Sequence, residues 1–403
     1  MVGAISVGLV YQFYYSGGDT FAFHTHGSRH IWEAFMDSPL TGLKLLFSNG
    51  EYGPGLWDIA PKIWYWRDEN SFFVIRIAAI FDLFTFSTYS ATALLFSVVS
   101  FVGAWLFFTT FYRHYPDLHR WLAFSILFFP TVVLWGSGIL KDTLTLAALG
   151  VATWAARSLL IDRLLNFRYA IFLLLAFWVI YQLKVYIILC FLPALLLWIL
   201  VSYVTRIRSF ALRLLITPAM IVLSCILAYF AIDNVIAEDS KYSLNNLANT
   251  AKITAYDIRY GWGARMGEGS GYTLGELDGS WSSMVRLAPA AVNVSLFRPY
   301  IWEVRNPLMF LSAVESLTIL ACVVYVLFRT RMRVIRYAVR ADALFCLVFS
   351  IVFAFAVGVS TYNFGTLSRY KIPLIPFFLV GIGLCYYYWK SERKFLVFDA
   401  TEY

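Results

Sequence analysis

Runs close to the ~20 apolar residues that cross a bilayer as a helix recur along this chain, near 1–15, 87–112, 121–137, 143–161, 169–183, 186–204, 214–232, 308–328, 342–360 and 372–389. Short polar turns separate most of them. The pattern predicts an all-α polytopic membrane protein of about ten transmembrane helices, forming a single transmembrane domain over residues 1–403. Two longer polar stretches interrupt it, 16–86 and 233–307. The first ends in Phe72–Phe86, where Arg76 and Asp82 break an apolar run, as expected of a helix lying at the membrane interface. The second carries Gly261, Gly263, Gly267, Gly269, Gly271, Gly275 and Gly279, a density that suits an irregular or lid-like loop. The opening run, Met1–Tyr15, is short for a span: either its helix lies tilted or shallow, or it begins upstream, and we expect the latter.

Composition agrees. Hydrophobic residues make up 60% of the 403 and charged ones only 14%, against about 25% charged in soluble domains. Mean hydropathy is +0.69. The charge then orients the spans. Sixteen Lys and Arg fall in 113–120, 157–168, 205–213, 329–341 and the tail, against four in the alternate turns: Lys141, Lys184, Arg369 and Lys371. Short cytoplasmic loops accumulate cations, so the C-terminus is expected in the cytoplasm and both long loops outside. The net charge of +8 is thereby accounted for without nucleic acid. All five cysteines (Cys190, Cys225, Cys322, Cys346 and Cys385) lie in apolar runs, so no disulfide framework is expected.

The same orientation gathers a few ionisable residues at the outward ends of the spans, where such groups are costly and usually functional. Asp19 follows the first run in Tyr14-Tyr15-Ser16-Gly17-Gly18-Asp19. It either caps a helix starting at Thr20 or meets substrate, and the two roles are compatible. His24 and His26 come next and are candidates for substrate contact; His26, His30 and Glu33 would share a helix face. Pro130 is expected to kink the third span, and Gly136 and Gly138 to permit irregular backbone before Lys141 and Asp142 open the fourth. Asp142 would cap that helix while Lys141 snorkels to headgroups, or Lys141 and the helix start would receive a phosphate. Lys184, in a tight turn, either anchors to headgroups or points into the bundle. Arg369, Tyr370 and Lys371 precede Pro373, where the two cations suit phosphate. Glu315, inside a span, needs a partner or a proton.

An outward Asp after the first helix, an interfacial helix after a long first loop, a kinked third span and Arg369-Tyr370-Lys371-Ile372-Pro373-Leu374-Ile375-Pro376 opening the last helix together resemble the C-type glycosyltransferases. The resemblance implies an enzyme of a bacterial inner membrane. It would move a sugar from a polyprenyl-phosphate donor to a lipid, glycan or protein acceptor on the outer face, among cell-envelope partners. Asp19 would then be the base, with Arg369 and Tyr370 facing the donor phosphate. The reading adds Lys371, Lys141, Asp142, Lys184, His24 and His26 around the substrate and expects all of them in one outward pocket. No Asp-x-Asp or Asp-Glu pair stands at Asp19, so no metal or other cofactor is assigned. A polysaccharide polymerase or ligase using diphosphate-linked glycans is a neighbouring resemblance. A lipid or anionic-solute transporter is the alternative from another class.

Overall fold

The computed structural model describes residues 1–207, 209, 222, 247–262, 270–275 and 278–399. Among them every regular element is helical, and the β pairing consists of one isolated bridge between Gly271 and Asn363. Five described helices are long and apolar enough to cross a membrane: Tyr89–Tyr112, Lys141–Ile161, Val185–Val204, Pro307–Ala338 and Ala341–Thr361. A sixth span results if Phe364–Tyr370 and Leu374–Arg393, bent by 64° at their junction, are taken together. Val2–Tyr14 and Phe167–Leu183 are apolar but shorter. The expected span at 214–232 lies, but for position 222, outside the described residues.

Local chemistry explains where several helices begin. The Asn306 side chain accepts the Met309 N–H at 2.8 Å, with Pro307 at the first helical position. Asn166 caps Phe167–Leu183 through the Arg168 N–H, and Ser280 caps Trp281–Phe297 through that of Ser283. Each cap satisfies an amide that has no acceptor within its own helix. Along the long helices, large apolar side chains face outward: Phe101 is 56% exposed, Leu174 69% and Phe328 79%. In water such surfaces would be a liability; against lipid they cost nothing.

Two corrections to the expected elements follow from packing. The third span is not one kinked helix. It stops at Leu127, restarts with Pro130 as the first residue of Pro130–Trp135, and gives way to irregular backbone over 136–140. The stretch 16–86 is largely helical, with Asp19–Phe23, Arg29–Asp37, Pro39–Leu46 and Glu69–Thr85. The last of these coincides with the anticipated interfacial helix. Within 233–307, Leu247–Tyr256 and Trp281–Phe297 are helices that pack on Ala341–Thr361, and Gly263, Gly267 and Gly269 fall outside the described residues.

The chain divides into two compact units. The first comprises Met1–Thr110, Val132–Ala156 and Leu165–Lys184. In it Phe167–Leu183 lies along Lys141–Ala156, and Glu69–Thr85 packs on Arg29–Asp37 and on Phe167–Leu183. Tyr89–Tyr112 meets Lys141–Ala156 backbone to backbone: a Cβ added to Gly150 would sit 2.1 Å from the Gly103 carbonyl oxygen. Small residues at such crossings let helices approach without any polar force between them.

The second unit comprises Phe111–Thr131, Arg157–Leu164 and Val185–Tyr403. Its central element is Ala341–Thr361, packed by Val185–Val204, Trp281–Phe297 and Leu374–Asp399. Phe191, Phe345, Phe349 and Phe377 interlock edge-to-face at the centre. Trp198 stacks on Phe345 with centroids 4.2 Å apart. Each such pair adds about 0.5–1.5 kcal/mol beyond area burial.

Candidate functional site

In the first unit the backbone after the Val10–Tyr14 turn of helix is left-handed or glycine-only at Ser16, Gly17 and Gly18, with φ of 54°, 128° and 130°. A side chain at Gly18 would also strike the Tyr11 ring, 2.7 Å from the Cβ position. Only glycine permits that turn, and the turn delivers Asp19 as the first residue of its helix, with Gly18 as the cap. The side-chain cap role considered for Asp19 is therefore not its geometry. Asp19 remains half-buried and lies within electrostatic reach of Lys141.

Lys141 begins its own helix directly after the irregular 136–140 segment. Thr143 fixes that junction by donating to the Gly138 carbonyl at 2.7 Å. The Lys141 ammonium lies 3.6 Å from Asp68, which is half-exposed, and it also feels Lys184 and Asp19. Asp142, wholly buried, receives the Lys184 ammonium in a direct ion pair. Five ionisable side chains, Asp19, Asp68, Lys141, Asp142 and Lys184, thus form one cluster. Its inner pair is buried and mutually neutralised, while Asp19, Asp68 and Lys141 keep access to solvent. Asp68 was not anticipated from the sequence. Its signal was a capping position before Glu69–Thr85, where it accepts the Ser71 hydroxyl.

The inner pair makes a testable claim about Lys184. Lys184→Met leaves an uncompensated carboxylate in a buried site, a loss of about 3–5 kcal/mol. Thermal unfolding in detergent should show a marked fall for this variant, and Lys184→Met/Asp142→Leu should recover most of it, because an apolar pair of similar volume is tolerated. Equal melting of wild type and the single variant would dissolve the pair.

The two histidines separate. His26 is exposed and stacks on Trp64 with centroids 4.3 Å apart. His24 is fully buried, its Nε2 3.5 Å from Asp82 Oδ1. Asp82, also fully buried, accepts the Ser28 hydroxyl at 2.6 Å and that of Thr92 at 2.5 Å. Asp82, the charge that interrupts the apolar run of Glu69–Thr85, therefore points into the unit. His30 pairs with Glu33 at 3.1 Å. Among the described residues no three His, Cys, Asp or Glu side chains cluster as metal ligands.

Arg369, Tyr370 and Lys371 belong to the second unit. Arg369 and Tyr370 are half-buried in the Phe364–Tyr370 helix, whose first turn Asn363 caps. Lys371 sits at the bend between the two terminal helices and is only 1% exposed. It donates to Ser316 Oγ at 3.1 Å and to the Arg298 carbonyl at 3.4 Å. Glu315 finds its partners in Thr131, accepting the backbone N–H at 2.6 Å and the hydroxyl at 2.5 Å. Thus the Pro130–Trp135 helix is capped from a remote helix.

Two further groups in this unit were not among the candidate site residues, and Glu303, expected from its neighbourhood to pair with Arg305, pairs with Arg298 instead. Asp342, buried in the first turn of Ala341–Thr361, accepts from Arg157, Trp198 and Tyr115. Arg298 forms a fork with Glu303 through both its Nε and Nη2. Partial burial opposes the Glu303 charge, yet the Arg298 guanidinium and the Tyr300 N–H outweigh it and hold the carboxyl below its ordinary value. The Glu303 hydrogen bonds in turn raise Arg298 against its desolvation. Beside this fork lies a cavity of about 210 Å³, bounded by Arg298, Glu303, Trp302, Arg305, Met309 and Phe364.

No family model matches this chain, and no curated protein or solved structure matches it either.

Proposed function

We propose that the chain is an integral-membrane glycosyltransferase that moves a sugar from a polyprenyl-phosphate donor to an acceptor hydroxyl at the outer face of a bacterial inner membrane. The proposal includes the ten-span arrangement with a cytoplasmic C-terminus. One observation carries it: Lys141 stands at a helix start with Asp19 and Asp68 beside it, all three open to solvent. Group transfer from a phosphate needs a base for the incoming hydroxyl and positive charge for the departing anion, and this cluster holds both within one unit.

In the proposed step the acceptor oxygen attacks the anomeric carbon and the carbon–oxygen bond to phosphate breaks. The hydroxyl proton passes to Asp19. The polyprenyl phosphate leaves as an anion against Lys141 and the unpaired amides of the first helical turn. The buried Asp142–Lys184 pair fixes that helix start and lowers the number of free charges around Lys141.

The test is transfer by purified protein in nanodiscs, using radiolabelled sugars on polyprenyl monophosphate and on polyprenyl diphosphate. Turnover of the monophosphate donor alone supports the reading; turnover of diphosphate-linked glycans alone would replace it with a polymerase or ligase. A transporter reading has its own support in the helix pair bent by 64° around the buried Lys371, since interrupted helices with enclosed charges line many transport pathways. Counterflow of a lipid-linked sugar or an anion by the protein alone, with no transfer to either donor, would decide for it.

A further inference from the structure

The cavity beside the Arg298–Glu303 fork has a composition that the transfer step does not use. Its polar side is the fork itself, an ion pair that offers both hydrogen-bond donors and acceptors at fixed positions. Its apolar side is Met309 and Phe364, whose ring lies under the Arg298 guanidinium at 5.3 Å from the centroid. Trp302, 82% exposed, stands at the rim with one face against Tyr300, centroids 4.8 Å apart and planes within 24°, which leaves the other face open. Arg305 is exposed and makes no hydrogen bond or ion pair with any described residue. The volume of about 210 Å³ falls below the ~300 Å³ at which pockets for drug-sized ligands begin, so the site holds one small group and not a long chain segment.

We infer that this cavity is a binding site for a sugar unit bearing an anionic substituent, carboxylate or phosphate. A pyranose ring presents an apolar C–H face and a polar rim of hydroxyls. The face matches the open side of Trp302, and the hydroxyls match the fixed Glu303 oxygens and Arg298 N–H groups. An exposed guanidinium at the entrance, without an ion-pair partner among the described residues, pairs bidentately with an oxyanion. A bare anion would leave the aromatic wall unused, and a neutral sugar would leave Arg305 unused. The same chemistry is offered by a soluble acidic glycan and by the headgroup of an acidic glycolipid.

Binding is measured by calorimetry or saturation-transfer NMR on the protein in phosphatidylcholine nanodiscs, with no donor present, so the result does not depend on transfer. The probes are an oligosaccharide ending in glucuronate, its glucose-terminated counterpart and inorganic phosphate. The glucuronate probe should bind saturably and about tenfold more tightly than the neutral one, the worth of one charged hydrogen-bond pair. Arg305→Ala should erase that difference. Trp302→Ala should weaken both sugars about tenfold, the worth of roughly 60 Å² of apolar contact, and Trp302→Phe should restore most of the loss. Both side chains are exposed, so these variants fold. A glucuronosyl diacylglycerol placed in the disc identifies the source: displacement of the soluble probe assigns the site to a glycolipid, and no displacement to a free glycan. Phosphate binding as tightly as the acidic sugar, with no effect of Trp302→Ala, overturns the inference, as does the absence of saturable binding by either sugar.

Discussion

On the proposed transferase reading, Asp19→Asn is expected to lower sugar transfer by about 10²–10⁴-fold, the range lost when a positioned general base is removed, while the protein keeps its melting temperature and its affinity for the proposed donor. The expectation follows from where Asp19 stands. Its turn is built by Gly17 and Gly18, the helix is capped by the Gly18 backbone and not by the carboxylate, and the side chain is half open to solvent. Removing its charge therefore takes no cap from the helix, and the isosteric amide leaves its packing unchanged, so melting should stay close to wild type. The amide keeps the shape and loses the ability to take a proton. Initial rates at saturating donor, together with donor binding by the same preparation, separate this from a binding defect. Asp68→Asn is the control. It removes the direct partner of Lys141 and should alter donor affinity more than the maximal rate. Wild-type turnover in Asp19→Asn, or the larger rate loss in Asp68→Asn, removes Asp19 from the mechanism.

The elements that the sequence made legible are those that physics writes locally. Val185–Val204, Pro307–Thr330 and Ala341–Thr361 emerged within a few residues of their expected positions because uninterrupted apolar length is a property of the string itself. Asn306-Pro307 announces a helix start in the same way. Arg29–Asp37 is harder: it buries only Ile31 and Ala34 on one face, and the shared face of His30 and Glu33 was the one helical signal among its charged neighbours. Trp281–Phe297 buries Met284, Leu287, Ala291 and Val294, a helical spacing that was present in the sequence but hidden by Pro289 and the nearby glycines.

The charges divide along the same line. That Asp19, Lys141 and Lys184 need partners was legible, because any ionisable group at the end of an apolar run has to be explained. What each one touches was not legible. Asp142 and Lys184 meet across two helices separated by 42 positions, and the contact exists only because those helices pack side by side. His24 was taken for a substrate contact from its loop-like surroundings, and folding encloses it against Asp82 instead. Lys371, expected around the substrate phosphate, is turned inward to Ser316 by the bend that precedes Leu374. In each case the residue type was a sound signal and its direction was a tertiary fact.

Asp342→Ala is expected to produce the largest loss of stability among single substitutions in the second unit, because one carboxylate there satisfies three donors. Arg157 donates to Oδ2 at 2.9 Å, Tyr115 donates to the same oxygen at 2.6 Å, and Trp198 donates to Oδ1 at 2.7 Å. Since the Tyr115 proton is committed to Asp342, Tyr388 donates in turn to Tyr115 at 2.7 Å, and the chain of bonds reaches the last long helix. Arg157 is 6% exposed, with Asp162 3.7 Å from its Nε as a second, weaker partner. Truncating Asp342 strands a guanidinium, an indole N–H and a phenol away from water. Breaking a buried ion pair on one side costs about 3–5 kcal/mol, a large fraction of the roughly 5–15 kcal/mol that holds a typical fold together. The variant should therefore aggregate or melt far below wild type when followed by size-exclusion chromatography of heated, detergent-solubilised protein. Asp342→Asn keeps one acceptor oxygen and should fall between the two. Arg157→Met on its own exposes the opposite defect, an unpaired carboxylate, and combined with Asp342→Asn it should be milder than either Arg157→Met or Asp342→Ala. Losses that simply add in the double variant would mean that the two residues do not act as a pair, and wild-type melting of Asp342→Ala would mean that the network does not hold the unit together.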